Sequence, residues 1–324
     1  MIEEINIKSA RNFIDYIQLY QSHWTPESEW NKNWVFRGHA KLDWELKPIA
    51  HRTVINDQIK GYSDYAMPFT QKKWSEDVKN GVYKNSIIDW FSHEFCIRNH
   101  AYIYAERKIL EEFCYVADQH GFKIPGAERF KNILPTDLSE LPFPSRYDGM
   151  SIVQAIAQHH GMPTRLLDWT SNPLAAAFFA CSEINSFDKN EESLCVWAVT
   201  RESIDKCNIP LNHSHSMSTE IFEVPRSEIN YLNAQEGLFI GIKGANSFFS
   251  TTGKWPDLEK DVFEKDAAFE NNVRKITLPH SEALELFRLL TLSNISFTSL
   301  MPNLDSIKKD VSTRWKLKGV QNGT

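Results

Sequence analysis

The stretch Gln158-His-His-Gly-Met-Pro-Thr-Arg-Leu-Leu-Asp-Trp-Thr-Ser-Asn-Pro-Leu-Ala-Ala-Ala-Phe-Phe-Ala180 decides how this chain is read. Polar side chains and small apolar ones are packed there more densely than anywhere else. Just upstream, Ser151 and Gln154 have capping-box spacing, and Ile152, Val153, Ile156, Ala157 and His160 share one face of a helix. Gly161 and Pro163 stop that helix. Residues 164–170 carry Leu166 and Leu167 between a helix stop and an Asn-Pro pair, which predicts a strand. Pro173 suits a first helical position, with Ser171 or Asn172 as cap, and opens a helix through Phe178, Phe179 and Ala180. The polar residues therefore gather where the strand exits. A strand end facing a helix N-terminus offers backbone N–H groups and a helix dipole to an anion.

Outward from this unit, Trp34-Val-Phe-Arg-Gly38 is a β-prone run ended by glycine. Alternation puts Arg37 on one face with Val35, and Trp34 with Phe36 on the other. An arginine inside such a run needs a partner, because an unpaired buried guanidinium is costly. That partner is either a carboxylate of the core or an anionic ligand. Residues 6–20 predict an amphipathic helix, and residues 53–81 a polar, irregular surface insertion. A helical hairpin follows over 89–99 and 102–120, with Arg107/Glu111 and Lys108/Glu112 as i,i+4 pairs on a solvated face. Residues 125–149 read as a proline-punctuated packed loop and 188–192 as a charged turn. Residues 194–199 form a continuous apolar run suited to a strand buried on both faces.

Further on, residues 227–236 predict a short helix or turn, and Gly237 separates it from a strand over 238–242. Gln235 and Glu236 sit where the chain enters that strand; on the strand itself, adjacent side chains would face opposite ways. Residues 247–266 read as a surface excursion and 273–278 as a final strand. Two terminal helices over 281–292 and 304–315 follow, the second apolar at Leu304, Ile307 and Val311. Strands lie on both sides of helices in the order, so the class is α+β.

Composition sets the outer bounds. A formal net charge of −6 argues against binding duplex nucleic acid through overall charge. The five cysteines are scattered with no Cys-x-x-Cys pair, which fits reduced thiols. The first residues lack both a basic start and an apolar run, and no segment is long enough to cross a membrane, so a cytoplasmic location with no membrane partner is expected. His213-Ser-His215 has metal-ligand spacing, but no Cys or carboxylate cluster accompanies it; a polar loop is expected, with no metal.

The strongest constellation joins three strand edges: Arg37, then Asp168-Trp169-Thr170-Ser171, then Gln235-Glu236. A forked cation, hydroxyls at a strand-to-helix turn and an acid or amide beyond them suit a dinucleotide with its pyrophosphate and ribose. No glycine-rich phosphate loop is present, so such a ligand would be held another way.

These residues carry a resemblance. The chain resembles the FRG domain family in Trp34-Val-Phe-Arg-Gly38, in Ala157-Gln-His-His-Gly-Met-Pro-Thr-Arg-Leu-Leu-Asp-Trp-Thr170 with Pro173 and Phe179-Ala180, in Asn233-Ala-Gln-Glu-Gly-Leu-Phe239, and in Leu300-Met-Pro-Asn-Leu-Asp305. The resemblance implies one FRG domain over 1–324, with a core at about 30–280 and helices over 281–318 packed on it. More distantly, the order of motifs is similar to that of Arg-Ser-Glu class ADP-ribosyltransferases. That likeness implies a mixed-sheet core with flanking helices and a C-terminal helical pair, NAD as substrate, and transfer of ADP-ribose to a protein or nucleic acid, or hydrolysis of NAD. In it Arg37 binds the phosphates or nicotinamide ribose, Thr170 and Ser171 position that ribose, and Gln235 or Glu236 holds its 2′-hydroxyl and steadies the oxocarbenium-like charge. Gly38, His159, His160, Thr164, Arg165 and Asp168 complete the candidate NAD-contacting set.

Two features depart from that pattern: Trp169 replaces the first serine of the triplet, and Gln235-Glu236 are adjacent rather than two apart. Such enzymes also imply a toxin or phage-defence role with a neutralising partner protein. The competing readings are a non-catalytic module that holds a nucleotide or nucleic-acid end through Arg37 and His159/His160, and a scaffold in which Asp168 pairs with Arg37 in the core and one histidine packs inside while the other caps a helix.

Overall fold

A computed structural model describes residues 2–24, 33–52, 56–81, 92–130, 152–182, 184, 192–212, 215–224 and 230–321. Its strands are β1 (Glu3–Asn6), β2 (Trp34–His39), β3 (Leu167–Thr170), β4 (Ser193–Thr200), β5 (Ile209–Asn212), β6 (His215–Phe222), β7 (Gly237–Lys243) and β8 (Val273–Pro279). Its helices are α1 (Ala10–Ile17), α2 (Asp57–Lys79), α3 (His93–Gln119), α4 (Ile152–His159), α5 (Pro173–Ser182), α6 (Arg201–Lys206), α7 (Asn230–Gln235), α8 (Ala245–Thr252), α9 (Ala283–Leu292), α10 (Phe297–Leu300) and α11 (Leu304–Gln321). The eight strands form one mixed sheet in the order β1-β8-β4-β2-β3-β7-β6-β5, so the class is α+β. Only β1 and β8 run parallel; every other neighbouring pair is antiparallel.

The sheet is covered on both faces, and β4 shows why its sequence is apolar throughout. Leu194, Val196 and Ala198 enter one core with α1, α5 and α9, while Cys195, Trp197 and Val199 enter the other with Leu258, Val262 and Phe263. On β2 the alternation holds: Trp34 and Phe36 join the first core and Val35 the second, which places Arg37 on the Val35 side. The β3–α5 unit also forms as its sequence directs. Asn172, not Ser171, is the cap, its Oδ1 accepting from Leu174 N at 3.0 Å and Ala175 N at 3.3 Å.

Five expectations are corrected. The segment read as a surface insertion is the helix α2, which holds Pro68 and buries Ile59, Ala66 and Trp74 against α3. The predicted break near residue 100 is absent: α3 runs on, and the buried Asn99 amide nitrogen donates to Asn246 O at 3.1 Å and Ser250 Oγ at 3.0 Å. Along it Lys108–Glu112 forms at 3.3 Å, but Glu111 is buried rather than on a solvated face. Residues 247–266 are not an excursion, since Trp255, Leu258, Val262 and Phe263 are core. At the C-terminus α9 buries Leu286, Phe287 and Leu290, whereas Leu304, Ile307 and Val311 on α11 face solvent. The Ser151 cap, the hairpin start at 89–91, most of the 125–149 loop, the 188–191 turn and His213 lie outside the described residues. Among described helices none is long and apolar enough to cross a membrane.

Gly38 is required by close packing. A Cβ there would stand 1.9 Å from Ala176 O on α5. Gly38→Ala is expected to cost roughly 3 kcal/mol or more in urea unfolding. Gly61, on α2, meets nothing within 4 Å. Gly61→Ala is expected to stabilise by about 0.5–1 kcal/mol in the same experiment.

Candidate functional site

Arg37 sits on β2 opposite Trp197 of β4, with β3 as its other neighbour. Its Nε donates to His39 Nε2 at 3.0 Å and its Nη1 to the Asp168 main-chain oxygen at 2.6 Å. The buried Arg37–Asp168 carboxylate pair expected from the sequence is thus corrected. Asp168 is exposed, and its carboxylate accepts from Gln158 Nε2 at 2.8 Å, while Gln158 Oε1 accepts from Thr164 Oγ1 at 2.7 Å. His39, which sequence reasoning passed over, is held neutral: burial first, then the charges of Arg37, Arg52 and Lys275, push its pKa well below the ordinary histidine value. Because Nε2 accepts from Arg37, the proton is on Nδ1, a buried atom with no hydrogen-bond partner among the described residues.

The second and third candidate edges meet directly. Thr170 Oγ1 donates to Gln235 O at 2.6 Å and accepts from Asn172 N at 2.9 Å; Ser171 N donates to Glu236 O at 3.0 Å. Ser171 Oγ accepts from Arg201 Nη2 at 2.9 Å, and Arg201 Nη1 pairs with Glu223 at 2.6 Å. Neither Gln235 nor Glu236 lies on a strand: Gln235 ends α7 and Glu236 forms the turn into β7 with φ 48°. The opposite-faces argument for these two residues therefore does not apply. A non-glycine residue held at positive φ stores strain that the surrounding structure must over-determine. The helix N-terminus, by contrast, is closed to an anion, because Asn172 takes up Leu174 N and Ala175 N and Pro173 has no N–H.

The remaining candidates divide. Gly38 packs under α5, and Thr164 is buried in the Gln158 bond. His159, half-buried at the end of α4, has its pKa lowered by burial and by His160, with Asp168 opposing. His160 is exposed and stacks on Phe113 of α3 with ring centroids 6.2 Å apart, so the pair points two ways and neither ring is core. Arg165 is turned inward: its Nε donates to Glu106 Oε2 at 2.7 Å, and His51 Nε2 donates to Glu106 Oε1 at 3.2 Å. All three are buried. Nothing in the local sequence marks Glu106 or His51, because the pairing spans 59 and 55 residues. Among the described residues no group of three His, Cys, Asp or Glu could hold a metal ion.

Burial alone would raise the Glu106 carboxyl, but the Arg165 charge and the hydrogen bonds from His51 and Arg165 prevail and hold its pKa at about 2. A lowered carboxylate pKa gives stability that is whole above the unfolded value and is lost as pH falls through the folded one. Glu106→Gln is expected to cost about 3–5 kcal/mol at pH 7, since it removes the carboxylate that buried Arg165 and His51 share. It should also remove a pH dependence between about 4.5 and about 2, read from urea midpoints of variant and parent across that window.

No curated protein and no solved structure matches the chain. The segment 32–189, which takes in β2, α4, β3 and α5 and ends before β7, matches the model described as the FRG domain, so the chain carries an FRG domain there.

Proposed function

We propose that the chain is an ADP-ribosyltransferase-like protein that binds NAD at the joined edges of β2, β3 and β7 and breaks its nicotinamide–ribose bond. The observation that carries this reading is Glu236, an acid fixed at φ 48° by the Ser171 N–H on its carbonyl oxygen and by its own N–H to Asn233 O at 3.2 Å. The strain is the kind that persists where an acidic side chain must be presented at one place. Arg37 stands two strands away on the sheet, braced by His39 and β3, in a position to fork onto a pyrophosphate. In the reaction the C1′–N bond breaks, its electron pair leaves with nicotinamide, and the oxocarbenium-like ribose is captured by water or by a macromolecular nucleophile that gives up its proton. Glu236 would stabilise the developing positive charge and hold the 2′-hydroxyl.

One observation favours a second reading, a module that binds a nucleotide without turning it over. Thr170 Oγ1 is already engaged as donor and acceptor inside the protein, so of the two hydroxyls only Ser171 keeps its own O–H for a ligand.

Incubating the full chain with NAD labelled on the adenylate half separates these readings. The transferase reading predicts nicotinamide release, reduced about 10²–10³-fold in Glu236→Gln with NAD binding kept within a few-fold, and lost with binding in Arg37→Ala. Binding without release supports the module, and absence of both contradicts the proposal. Glu236→Gly offers a further check. It relieves the positive φ, so Tm is expected to hold or rise while release disappears.

A further inference from the structure

A pocket of about 650 Å³ lies between α3, the turn around His51 and the segment after α8, within the roughly 300–1,000 Å³ of small-molecule sites. None of the strand-edge candidates lines it. Its rim carries Arg52, Arg98, Lys254 and Lys260. Lys254 and Lys260 form no ion pair among the described residues, and the carboxylate nearest Arg98, the exposed Glu94, is 3.9 Å away. The acids of the wall are engaged locally. Glu45 takes Lys47 at 2.7 Å, Asp257 Oδ1 accepts from Glu259 N and Lys260 N, and Asp261 Oδ2 accepts from Asp257 N at 2.9 Å. Lys47 offsets Glu45, and the four rim cations outnumber Asp257 and Asp261, so the field in the pocket favours an anion.

The wall adds two unmet groups of opposite kind. Trp255 Nε1, a donor, and Asp257 Oδ2, an acceptor, are buried with no partner among the described residues, and both residues line the pocket. Leaving such groups unpaired costs about 1–3 kcal/mol each. Trp255 is held rigidly: the His51 ring stacks on it at 3.9 Å and 3°, and Phe249 and Tyr102 lie at 4.5 and 5.8 Å. His51 is in turn fixed by Glu106 and Arg165. The inward arginine of the central motif thus braces this wall, a role that the strand-edge reading leaves unassigned.

We propose that this pocket binds a nucleoside phosphate, independently of the NAD reading. The phosphates lie on the Arg52, Arg98, Lys254 and Lys260 rim. Asp257 accepts from ribose hydroxyls or a base amine, and the base meets the aromatic wall. A carboxylate with an unpaired oxygen among cations discriminates a nucleoside phosphate from a bare anion, because only the former brings donors to it.

The test is calorimetry on the full chain with ADP, and with pyrophosphate and adenosine as partial probes. Saturable ADP binding is expected, weakening with added salt and reduced at least about tenfold in Lys254→Glu. Asp257→Asn, which keeps an oxygen for the cap, is expected to weaken ADP while leaving pyrophosphate unaffected. Absence of saturable ADP binding overturns the proposal. So does ADP binding that survives Lys254→Glu but is lost in Arg37→Ala, which moves the ligand to the strand edges.

Discussion

A missing β-carbon sets the geometry of this protein. At Gly38 the main chain of β2 lies so close to α5 that any side chain would collide with the Ala176 carbonyl. The helix answers with Ala175, Ala176 and Ala177, all buried in the core beneath it. This contact fixes where α5 begins, and hence where Asn172, Ser171 and Thr170 stand. Those residues hold the turn at Gln235 and Glu236 through two hydrogen bonds. The logic of the Phe-Arg-Gly triplet follows: an apolar residue to one core, a cation to the opposite face, and no side chain where the helix must close.

Two arginines of the matched segment, Arg165 and Arg37, are used in opposite ways. Arg165 is consumed inside, where Glu106 and His51 tie the central motif to α3 and to the Trp255 wall. Arg37 remains half-buried, held from below by a neutral histidine and from the side by a carbonyl. Neither of those two partners carries a compensating negative charge.

What the sequence revealed, and what it hid, divides by range. The faces of β2, the buried β4 and the strand-turn-helix at 167–182 were legible because alternation, a cap and a proline at the first helical position are local signals. The helix α2 was hidden by Gly61, Pro68 and a polar surface, although packing on α3 overrides those weak preferences. A buried Asn99 made α3 look interrupted, because its partners lie about 150 residues away. Glu236 was placed correctly at the entry to a strand but not in its strained turn. The partners of Arg37 escaped notice for another reason: a main-chain oxygen carries no sequence signature, and His39 lay just beyond the triplet that drew attention.

The dinucleotide site is proposed at the joined edges of β2, β3 and β7. A crystal structure with a hydrolysis-resistant NAD analogue tests it most directly. The account predicts density that bridges the Arg37 guanidinium and the Glu236 carboxylate, with the nicotinamide ribose beside Ser171. Density confined to the Trp255 pocket, with Arg37 still turned onto His39 and Asp168 and touching no ligand atom, would contradict it.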